Sequence, residues 1–266
     1  MNIAEFLKSE NIFEFALLPF ESVRVTDTRR YERISEKFPV KTVVLFLMPY
    51  FVPSPVSNLS QYAQPRDYHF FIEELYKRAK GCLDCDFHLC ADTSPINEVE
   101  ACVNAGLGVS GKNSLLINRR YGSWVFIGEF YFPLDVSDPF FNGIEKREVG
   151  EKNCIGCGAC EKICKCIKDG DRKGCISFIN QKKKIDDKEE KLILESGYVW
   201  GCDECQKVCP MNTRTETEIE FFRENRISAL DRKTLENLIK TGEFTRRAYS
   251  WRGEGTILRN VEIFEK

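Results

Sequence analysis

The chain has 266 residues, and its 39 Lys and Arg against 41 Asp and Glu give a net charge of −2, which excludes wholesale electrostatic capture of a polyanion. Apolar residues make up 42% of the chain and aromatic residues 12%, which excludes a disordered protein. The 13 cysteines are accompanied by only 2 histidines, a ratio that weakens any Cys/His zinc-finger interpretation.

The cellular compartment determines what so many cysteines can do. The N-terminus carries acidic residues early and lacks a basic region followed by an apolar core, so we expect no signal peptide. The longest apolar run, residues 43–48, is too short to cross a bilayer. We therefore expect a cytoplasmic protein without membrane association, in which reduced thiols bind metal or carry redox chemistry.

The segment up to residue 148 has the pattern of mixed helices and strands. Short runs of strand-forming residues predict strands over 43–48, 115–117 and 124–132, the last two joined by the polar turn 118–122. Apolar residues at helical spacing predict a helix over 67–80, which Gly81 ends. A second helix is expected to begin with Ser94 as its N-cap and Pro95 in its first turn, and to end at 104–106.

The cysteines divide the chain into parts. None precedes Cys82, nine fall between Cys154 and Cys209, and none follows. We predict an α+β fold, with an α/β domain on a mixed sheet over 1–148, a cysteine-rich module over 149–213 and a helical tail over 214–266. The tail includes a helix from Asp231 to Thr241 that ends at Gly242.

Two sets of cysteines predict two [4Fe–4S] clusters. The first set has the spacing C-x2-C-x2-C-x3-C, and the second adds an isolated cysteine and C-x2-C-x3-C-P. In two-cluster ferredoxins the last cysteine of each run binds the other cluster. Cluster I is therefore expected on Cys154, Cys157, Cys160 and Cys209, and cluster II on Cys164, Cys175, Cys202 and Cys205, which together form a module like a bacterial two-cluster ferredoxin.

Other interpretations of the cysteines stay open. Structural zinc prefers two C-x2-C knuckles, and three cysteines in a row fit that pattern poorly. Cys166 follows Cys164 where ferredoxins usually carry proline, and it is either a spare thiol or an alternative ligand. The four earlier cysteines are either buried structural thiols or a further metal site, and they are Cys82, Cys85, Cys90 and Cys102.

A glycine-rich stretch imitates a phosphate-binding loop. Residues 106–114 satisfy G-x-G-x-x-G and nearly satisfy G-x4-G-K-[ST], but Asn113 stands where a Walker loop needs a hydroxyl. The predicted order around the stretch is helix, loop, strand, whereas a phosphate site needs strand followed by helix. We therefore do not expect nucleotide phosphate to bind here.

The chain resembles the epoxyqueuosine reductases, cobalamin-dependent iron–sulfur enzymes of tRNA modification that are related in this part to reductive dehalogenases. The resemblance runs from about Val43 to Asn260. Besides both cysteine sets, the matching segments are YAQPRDYH at 62–69, ADTSP at 91–95 with Glu98, AGLGVSGKN at 105–113, YGSWVFIGE at 121–129, GCISF at 174–178, GCDECQ at 201–206 and LRN at 258–260.

This resemblance implies a cobalamin held base-off between the N-terminal domain and the cluster module. Electrons from an external low-potential donor would pass through clusters I and II to cobalt, and the epoxide of epoxyqueuosine would become the cyclopentene of queuosine. The family keeps the lower face of cobalt free of a protein imidazole, so ligation by His69 is not expected. The implied cobalamin contacts are Ser60, Tyr62, Asp67, His69, Asp92, Leu116, Ile127, Ser177 and Gln206.

Asp92 is the catalytic residue that the resemblance implies, since it is the Asp of the family's D-[ST]-x-P motif. The chemistry agrees: an epoxide oxygen that leaves as an alkoxide is a poor leaving group, and a carboxylic acid within hydrogen-bond reach can protonate it. The competing interpretation is an accessory cap for the helix expected from Pro95.

The chain departs from the family where RNA recognition is concerned. Longer members continue into a helical-repeat domain that contributes to tRNA binding, whereas this chain stops soon after Asn260. A small basic patch that could contact phosphates comprises Lys182, Lys183, Lys184, Arg246, Arg247 and Arg252, although a solvated charged surface is the alternative.

Three functions follow from these observations. The first is a monomeric reductase of epoxyqueuosine in tRNA or of a smaller queuosine-type substrate. The second is a two-cluster electron-transfer protein without a substrate of its own, and the third is a corrinoid-binding module that serves another enzyme.

Overall fold

The computed structural model describes residues 1–54 and 57–265, apart from the side chain of Lys165. Contacts divide the chain into two compact units, each assembled from three segments. The first comprises Met1–Pro49, Phe71–Gly156 and Met211–Ile219, and the second comprises Tyr50–Phe70, Cys157–Pro210 and Glu220–Lys266. The expected boundaries at 148 and 213 stay a prediction, while the contacts place 50–70 in the same unit as Cys157 to Cys209.

The first unit is built on antiparallel strands. A four-stranded sheet has the order β1-β2-β6-β3, and a small second sheet pairs β4 with β5. The strands are β1 Phe15–Pro19, β2 Thr42–Pro49, β3 His88–Cys90, β4 Val109–Ser110, β5 Leu116–Ile117 and β6 Val125–Phe132. The strands predicted at 43–48, 115–117 and 124–132 are confirmed, and so is the α+β class.

The sheet is antiparallel in every described pairing, so the expected mixed sheet is wrong. Strands β2 and β3 point the same way, as a strand–helix–strand succession suggests, but β6 lies between them and runs opposite to both. The intervening strand comes from more than thirty residues later in the chain, so local sequence patterns do not reveal it.

Helices cover the sheet of the first unit. Strand β2 is buried along its whole length, which explains its continuous apolar sequence. A core of apolar side chains from β1, β2, β6 and α4 lies on one face and includes Val43, Leu45 and Leu47. The helices that begin before residue 105 are α1 Ile3–Ser9, α2 Thr28–Ser35, α3 Tyr68–Cys82 and α4 Glu98–Asn104.

The start predicted for α4 is wrong, whereas its predicted end is confirmed. The helix begins at Glu98 with Asn97 as its N-cap, not at Ser94 and Pro95. Ile96 forms an antiparallel bridge with Val25, and the carbonyl of Pro95 accepts hydrogen bonds from the backbone N–H groups of residues 26 and 27. This extended pairing delays the helix by about one turn.

The second unit is helical in its described residues, with a core formed by Leu59, Ala63, Trp200 and residues of the C-terminal segment. The helix predicted from Asp231 is confirmed: Asp231 is the N-cap and Gly242, at φ +77°, is the C-cap. The helices are α5 Ala159–Ile163, α6 Lys165–Asp169, α7 Ile176–Ile179, α8 Asp187–Ser196, α9 Glu204–Lys207, α10 Glu220–Arg223, α11 Arg232–Thr241 and α12 Glu254–Ile263.

Within the described ranges, none of the helices combines the length and the apolar character that crossing a bilayer requires.

Gly128 tests the packing of the central strands. A Cβ atom there would lie 2.3 Å from the Phe46 ring on β2, so we expect Gly128→Ala to destabilise the fold by about 1–3 kcal/mol through overpacking. The control is Gly81→Ala near the end of α3, where a Cβ would meet nothing within 4 Å and is expected to stabilise the helix by about 0.5–1 kcal/mol. Thermal unfolding measures both, and equal melting temperatures for the two variants would contradict the close packing.

Candidate functional site

Asp92 lies on the turn between β3 and α4, with its side chain exposed to solvent. Its φ of +63° is in the left-handed region, which Asp tolerates better than most residues. Its backbone N–H donates a hydrogen bond of 3.1 Å to Oε1 of Glu98. The interpretation of Asp92 as a helix cap is wrong, because Asn97 caps α4. The Asp92 carboxyl is thus presented outward from a turn fixed through its backbone.

Glu98 and Glu129 form a carboxyl pair beneath this turn. Glu129 is fully buried on β6, opposite Cys90 of β3, and burial followed by the charge of Glu98 raises its pKa well above the ordinary value. Burial and the charge of Asp92 raise the pKa of Glu98 to about 7. The sequence did hold a signal for Glu129, since it is the one charged residue in the apolar run 125–132.

Ser60 marks a close approach of two backbones in the second unit. Its N–H donates to the carbonyl of Trp200 at 3.0 Å, beside the bridge between Leu59 and Trp200. The Ser60 side chain is buried, and its Oγ has no hydrogen-bond partner within the described residues. A Cβ on Gly201, whose φ is +71°, would lie 1.9 Å from that Oγ. Only glycine fits here, because the Ser60 side chain occupies the space beside the Gly201 backbone.

Asp203 interacts with two of the predicted cobalamin contacts, Tyr62 and Gln206. Its carboxylate accepts the Gln61 N–H at 2.7 Å and the Gln206 side-chain amide at 3.4 Å. Burial raises the pKa of Asp203 to about 7. Burial also raises the pKa of Tyr62 to about 12, against the opposing effect of the Ser177 hydroxyl. These residues therefore line one region of the second unit.

Asp67 and His69 form a smaller arrangement at the start of α3. The Asp67 carboxylate accepts the His69 N–H at 3.0 Å and lies 2.7 Å from its Nδ1. The Asp67 N–H donates to the carbonyl of Arg246, which fixes the entry to the helix. Since His69 is half exposed and its ring is oriented by Asp67, it has the position of a surface residue of the first turn.

Leu116 and Ile127 lie on strands of the first unit. Leu116 is buried on β5, and Ile127 is half-buried on β6 beside Leu47. Both contribute side chains to the core, so a contact from either residue to a ligand would come from its backbone.

The cysteines predicted for cluster II lie at or near the ends of short helices. Cys164 joins α5 to α6, Cys175 is the N-cap of α7, and Cys205 lies on α9. Cys202 interacts electrostatically with both Cys175 and Cys205. Cys166 lies among them, with its Sγ 2.9 Å from Sγ of Cys164. The structure therefore places the Cys166 thiol beside that of Cys164.

The cysteines predicted for cluster I lie around a glycine-rich loop. Gly156 and Gly158 have φ of +69° and +73°, which lets the chain between Cys154, Cys157 and Cys160 turn tightly. Helix α5, which carries Cys160, packs against α9, which Cys209 follows at a distance of two residues. The Cys154 N–H donates to the carbonyl of Ser110.

The remaining cysteines do not converge. Cys90 is on a strand and Cys102 on a helix, as predicted, and both are buried, whereas Cys82 is exposed. Burial raises the pKa of Cys90 to about 12, so its thiol stays protonated. Throughout residues 1–54 and 57–265, no three Cys, His, Asp or Glu side chains are grouped as they would be around one metal ion.

Packing explains the glycines of the phosphate-loop imitation. A Cβ on Gly108 would lie 2.5 Å from the carbonyl oxygen of Ile117, and one on Gly111 would lie 2.3 Å from Oδ1 of Asn113. The stretch forms β4 and the turn to β5 after α4, so it has the predicted order of helix, loop, strand. The glycines thus serve a tight two-stranded turn.

The expected basic patch is only partly available. Arg247 is buried and donates to the carbonyls of Gln64 and Asn225, so its inclusion in the patch is wrong. Lys182 pairs with Glu189. Lys183 and Lys184 are exposed. A buried arginine was not distinguishable in sequence from its exposed neighbour Arg246.

The LRN segment near the C-terminus supports the region of Gly201. Asn260 is fully buried, and its side-chain amide donates to the carbonyls of Asn180 and Val199. The Asn180 amide in turn donates to the carbonyl of Gly201 at 2.9 Å. Asn260 of the LRN motif therefore has a structural role, because through Asn180 it helps to fix the Gly201 backbone.

No protein-family model matches the chain. Among curated proteins, an epoxyqueuosine reductase of Aliivibrio fischeri is 31% identical over 218 residues, which cover 77% of this chain and 52% of the relative. The chain spans about half the length of the curated relatives it matches.

Solved structures share the fold. A crystal structure of epoxyqueuosine reductase with an epoxyqueuosine-modified stem loop of tRNA-Tyr has a TM-score of 0.71 at 19% identity, covering 98% of this chain and 79% of that chain. The Bacillus subtilis enzyme, described with its catalytic Asp loop swung out of the active site, has a TM-score of 0.67 at 20% identity, with the same coverage.

Cys166 gives a test of the cysteine geometry. Because its Sγ lies 2.9 Å from Sγ of Cys164, we expect either thiolate to bind the same iron corner. Cys166→Ala and Cys164→Ala are each expected to retain about eight iron atoms per chain after anaerobic reconstitution, and the double variant about four. Iron analysis with EPR measures this. Loss of half the iron from Cys164→Ala alone would contradict the exchange of ligands.

Proposed function

The chain belongs to the epoxyqueuosine reductase family, and from this premise we propose that it reduces the epoxide of epoxyqueuosine in tRNA to the alkene of queuosine. The observation that carries the proposal is the placement of Asp92, an exposed carboxyl group on a turn that is fixed through its backbone. A solved relative is described with a catalytic Asp loop that swings out of its active site, which supports the same role for this turn.

The proposed cofactors are two [4Fe–4S] clusters and cobalamin. The eight cysteines named above would hold the clusters, and Ser60, Tyr62 and Gln206, which are grouped in the second unit, would contact the cobalamin. When bound, cobalamin supplies at cobalt the two electrons that removal of the epoxide oxygen consumes, with the clusters passing electrons from an external low-potential donor.

The residues of the second unit bind and orient in this proposal. Ser60 offers its Oγ, Tyr62 its phenol as a donor, and Gln206 the amide that Asp203 orients. Because the pKa of Tyr62 is raised to about 12, its hydroxyl keeps its proton at neutral pH and can donate a hydrogen bond to a nearby acceptor. Ser177 lies near that hydroxyl, so these groups can contact the same ligand.

Asp92 supplies a proton to the reaction. Conversion of an epoxide to an alkene and water consumes two electrons and two protons, and the oxygen leaves as an alkoxide unless it is protonated. The exposed Asp92 carboxyl can donate one proton to that oxygen, and solvent can reload it.

RNA binding must depend on a local surface, because the net charge of the chain is −2. A solved relative holds a tRNA stem loop. We propose that the exposed Lys183 and Lys184 contribute phosphate contacts, together with Arg246 beside Glu243.

The test of this function is a turnover assay. The protein is purified anaerobically, reconstituted with iron, sulfide and cobalamin, and mixed with epoxyqueuosine-containing tRNA and a low-potential reductant. Queuosine in the digested tRNA supports the proposal. Cobalamin binding without turnover would favour a corrinoid module that serves another enzyme, and failure to bind cobalamin would leave electron transfer alone.

Asp92→Asn tests the proton donor. We expect turnover to fall by about 10²–10⁴-fold, because the amide cannot supply the proton, while the iron and cobalamin contents stay unchanged. Asp84→Asn, at another exposed aspartate of the first unit, is the control and is expected to retain turnover. Near-normal turnover of Asp92→Asn would refute the assignment.

A further inference from the structure

The carboxyl pair of Glu98 and Glu129 has no task in the proposed reaction, yet it is placed at an energetic cost. Glu129 is 0% exposed in the middle of β6, where its carboxyl group interacts with the Glu98 carboxyl and with the hydroxyls of Ser94 and Tyr131. A buried carboxylate beside a second carboxyl group is strongly unfavourable in its ionised form, so Glu129 is held in its neutral form. A neutral carboxyl group retains a proton that it can share.

Two contacts join Glu129 to the Asp92 turn. The sheet register sets Glu129 opposite Cys90, which is two residues before Asp92. Glu98, the first residue of α4, faces Glu129 closely enough for each carboxyl group to affect the pKa of the other. From the same side chain, Oε1 of Glu98 accepts the Asp92 N–H at 3.1 Å. Glu98 therefore lies between a buried proton and the backbone of the proposed catalytic residue.

The position of Asp92 makes this hydrogen bond consequential. A non-glycine residue at φ +63° persists when its surroundings favour that conformation over the alternatives. The neighbouring side chains add little, since the Thr93 hydroxyl lies 3.5 Å from the carbonyl of Ala91. The Glu98 carboxyl thus provides the side-chain hydrogen bond that fixes the turn at Asp92 itself.

We propose that Glu98 is a positioning residue for Asp92, and that Glu129 is the neutral partner that keeps the Glu98 carboxyl oriented toward the Asp92 N–H. The inference rests on the proposed function for its effect on turnover, but the contact itself is independent of substrate. No covalent or redox step is involved. The ionised form of Glu98 accepts the hydrogen bond most strongly, because charged acceptors bind N–H groups better than neutral ones.

Hydrogen exchange of the Asp92 amide tests the contact without substrate. In the reconstituted wild-type protein this amide is protected by Glu98, and we expect Glu98→Ala to accelerate its exchange by about fivefold. Glu98→Gln keeps a carbonyl acceptor and is expected to retain most of the protection. Glu100→Ala is the control, because Glu100 lies on the same helix but pairs with Arg24. Equal exchange in the wild type and Glu98→Ala would overturn the inference.

Turnover tests the consequence for catalysis. We expect Glu98→Ala to lower kcat by about tenfold or more with little change in KM, because a displaced acid weakens the chemical step and not substrate binding. Glu98→Gln is expected to restore most of kcat. An equal loss in both variants, or a loss confined to KM, would overturn the positioning role. If the wild type shows no turnover, the proposed function fails while the exchange experiment still decides the inference.

The neutral state of Glu129 is tested by the pH dependence of stability. With the pKa of Glu98 raised to about 7 and that of Glu129 raised further, the folded protein holds protons that the unfolded chain releases. This stabilisation is present below about pH 4.5 and is lost as pH rises through about 7. We expect the wild-type melting temperature to fall over this interval more than that of Glu129→Gln. The other titratable groups facing the pair are Arg30, Cys90, Asp92, Cys102 and Tyr131, all of which both proteins share. An identical fall in the two proteins would show that Glu129 is ionised and would overturn its role.

Discussion

A carboxyl group buried in the central region of an antiparallel sheet is the constraint around which the first unit is arranged. Glu129 stands on β6 between Leu45 of β2 and Cys90 of β3, so it is removed from water on both sides. Burial at this depth keeps Glu129 neutral, and its carboxyl proton then needs a hydrogen-bond acceptor nearby. Glu98 is that acceptor, because the bridge between Val25 and Ile96 delays the start of α4 and makes Glu98 its first residue. The same delay places the Glu98 carboxyl under the Asp92 turn.

The second unit depends on a close backbone approach in a similar way. Gly201 allows the Ser60 side chain to lie against its Cα, and the amides of Asn180 and Asn260 hold the surrounding carbonyls. Buried amides used in this way fix a backbone position more strictly than apolar packing does, since each lost hydrogen bond leaves a buried polar group without a partner. A rigid frame of this kind suits a site that must hold a large cofactor, which is the role proposed for the residues around it.

The proposed proton donor and the proposed cluster ligands differ in how deeply their surroundings are buried. In the first unit, burial raises the pKa of Glu98, while the neighbouring Asp92 carboxyl is exposed to solvent. Along residues 154–209, short helices and left-handed glycines carry cysteines whose side chains are half-buried or exposed. Cys166 lies beside Cys164 where the ferredoxin pattern has proline, so this chain has an additional thiol next to a predicted cluster ligand.

The sequence by itself determined the features that local patterns encode. Cysteine spacing predicted the two sets, apolar runs predicted β2 and β6, Asp231 and Gly242 predicted both ends of α11, and the D-T-S-P segment singled out Asp92. Tertiary structure alone decided which residues meet across long separations. It inserted β6 between β2 and β3, moved the start of α4 from Ser94 to Glu98, buried Arg247, and set Glu98 and Glu129 beneath Asp92. The physical reason is that capping, spacing and turn preferences act within a few residues, whereas strand order and burial depend on partners that the chain meets only when it is folded.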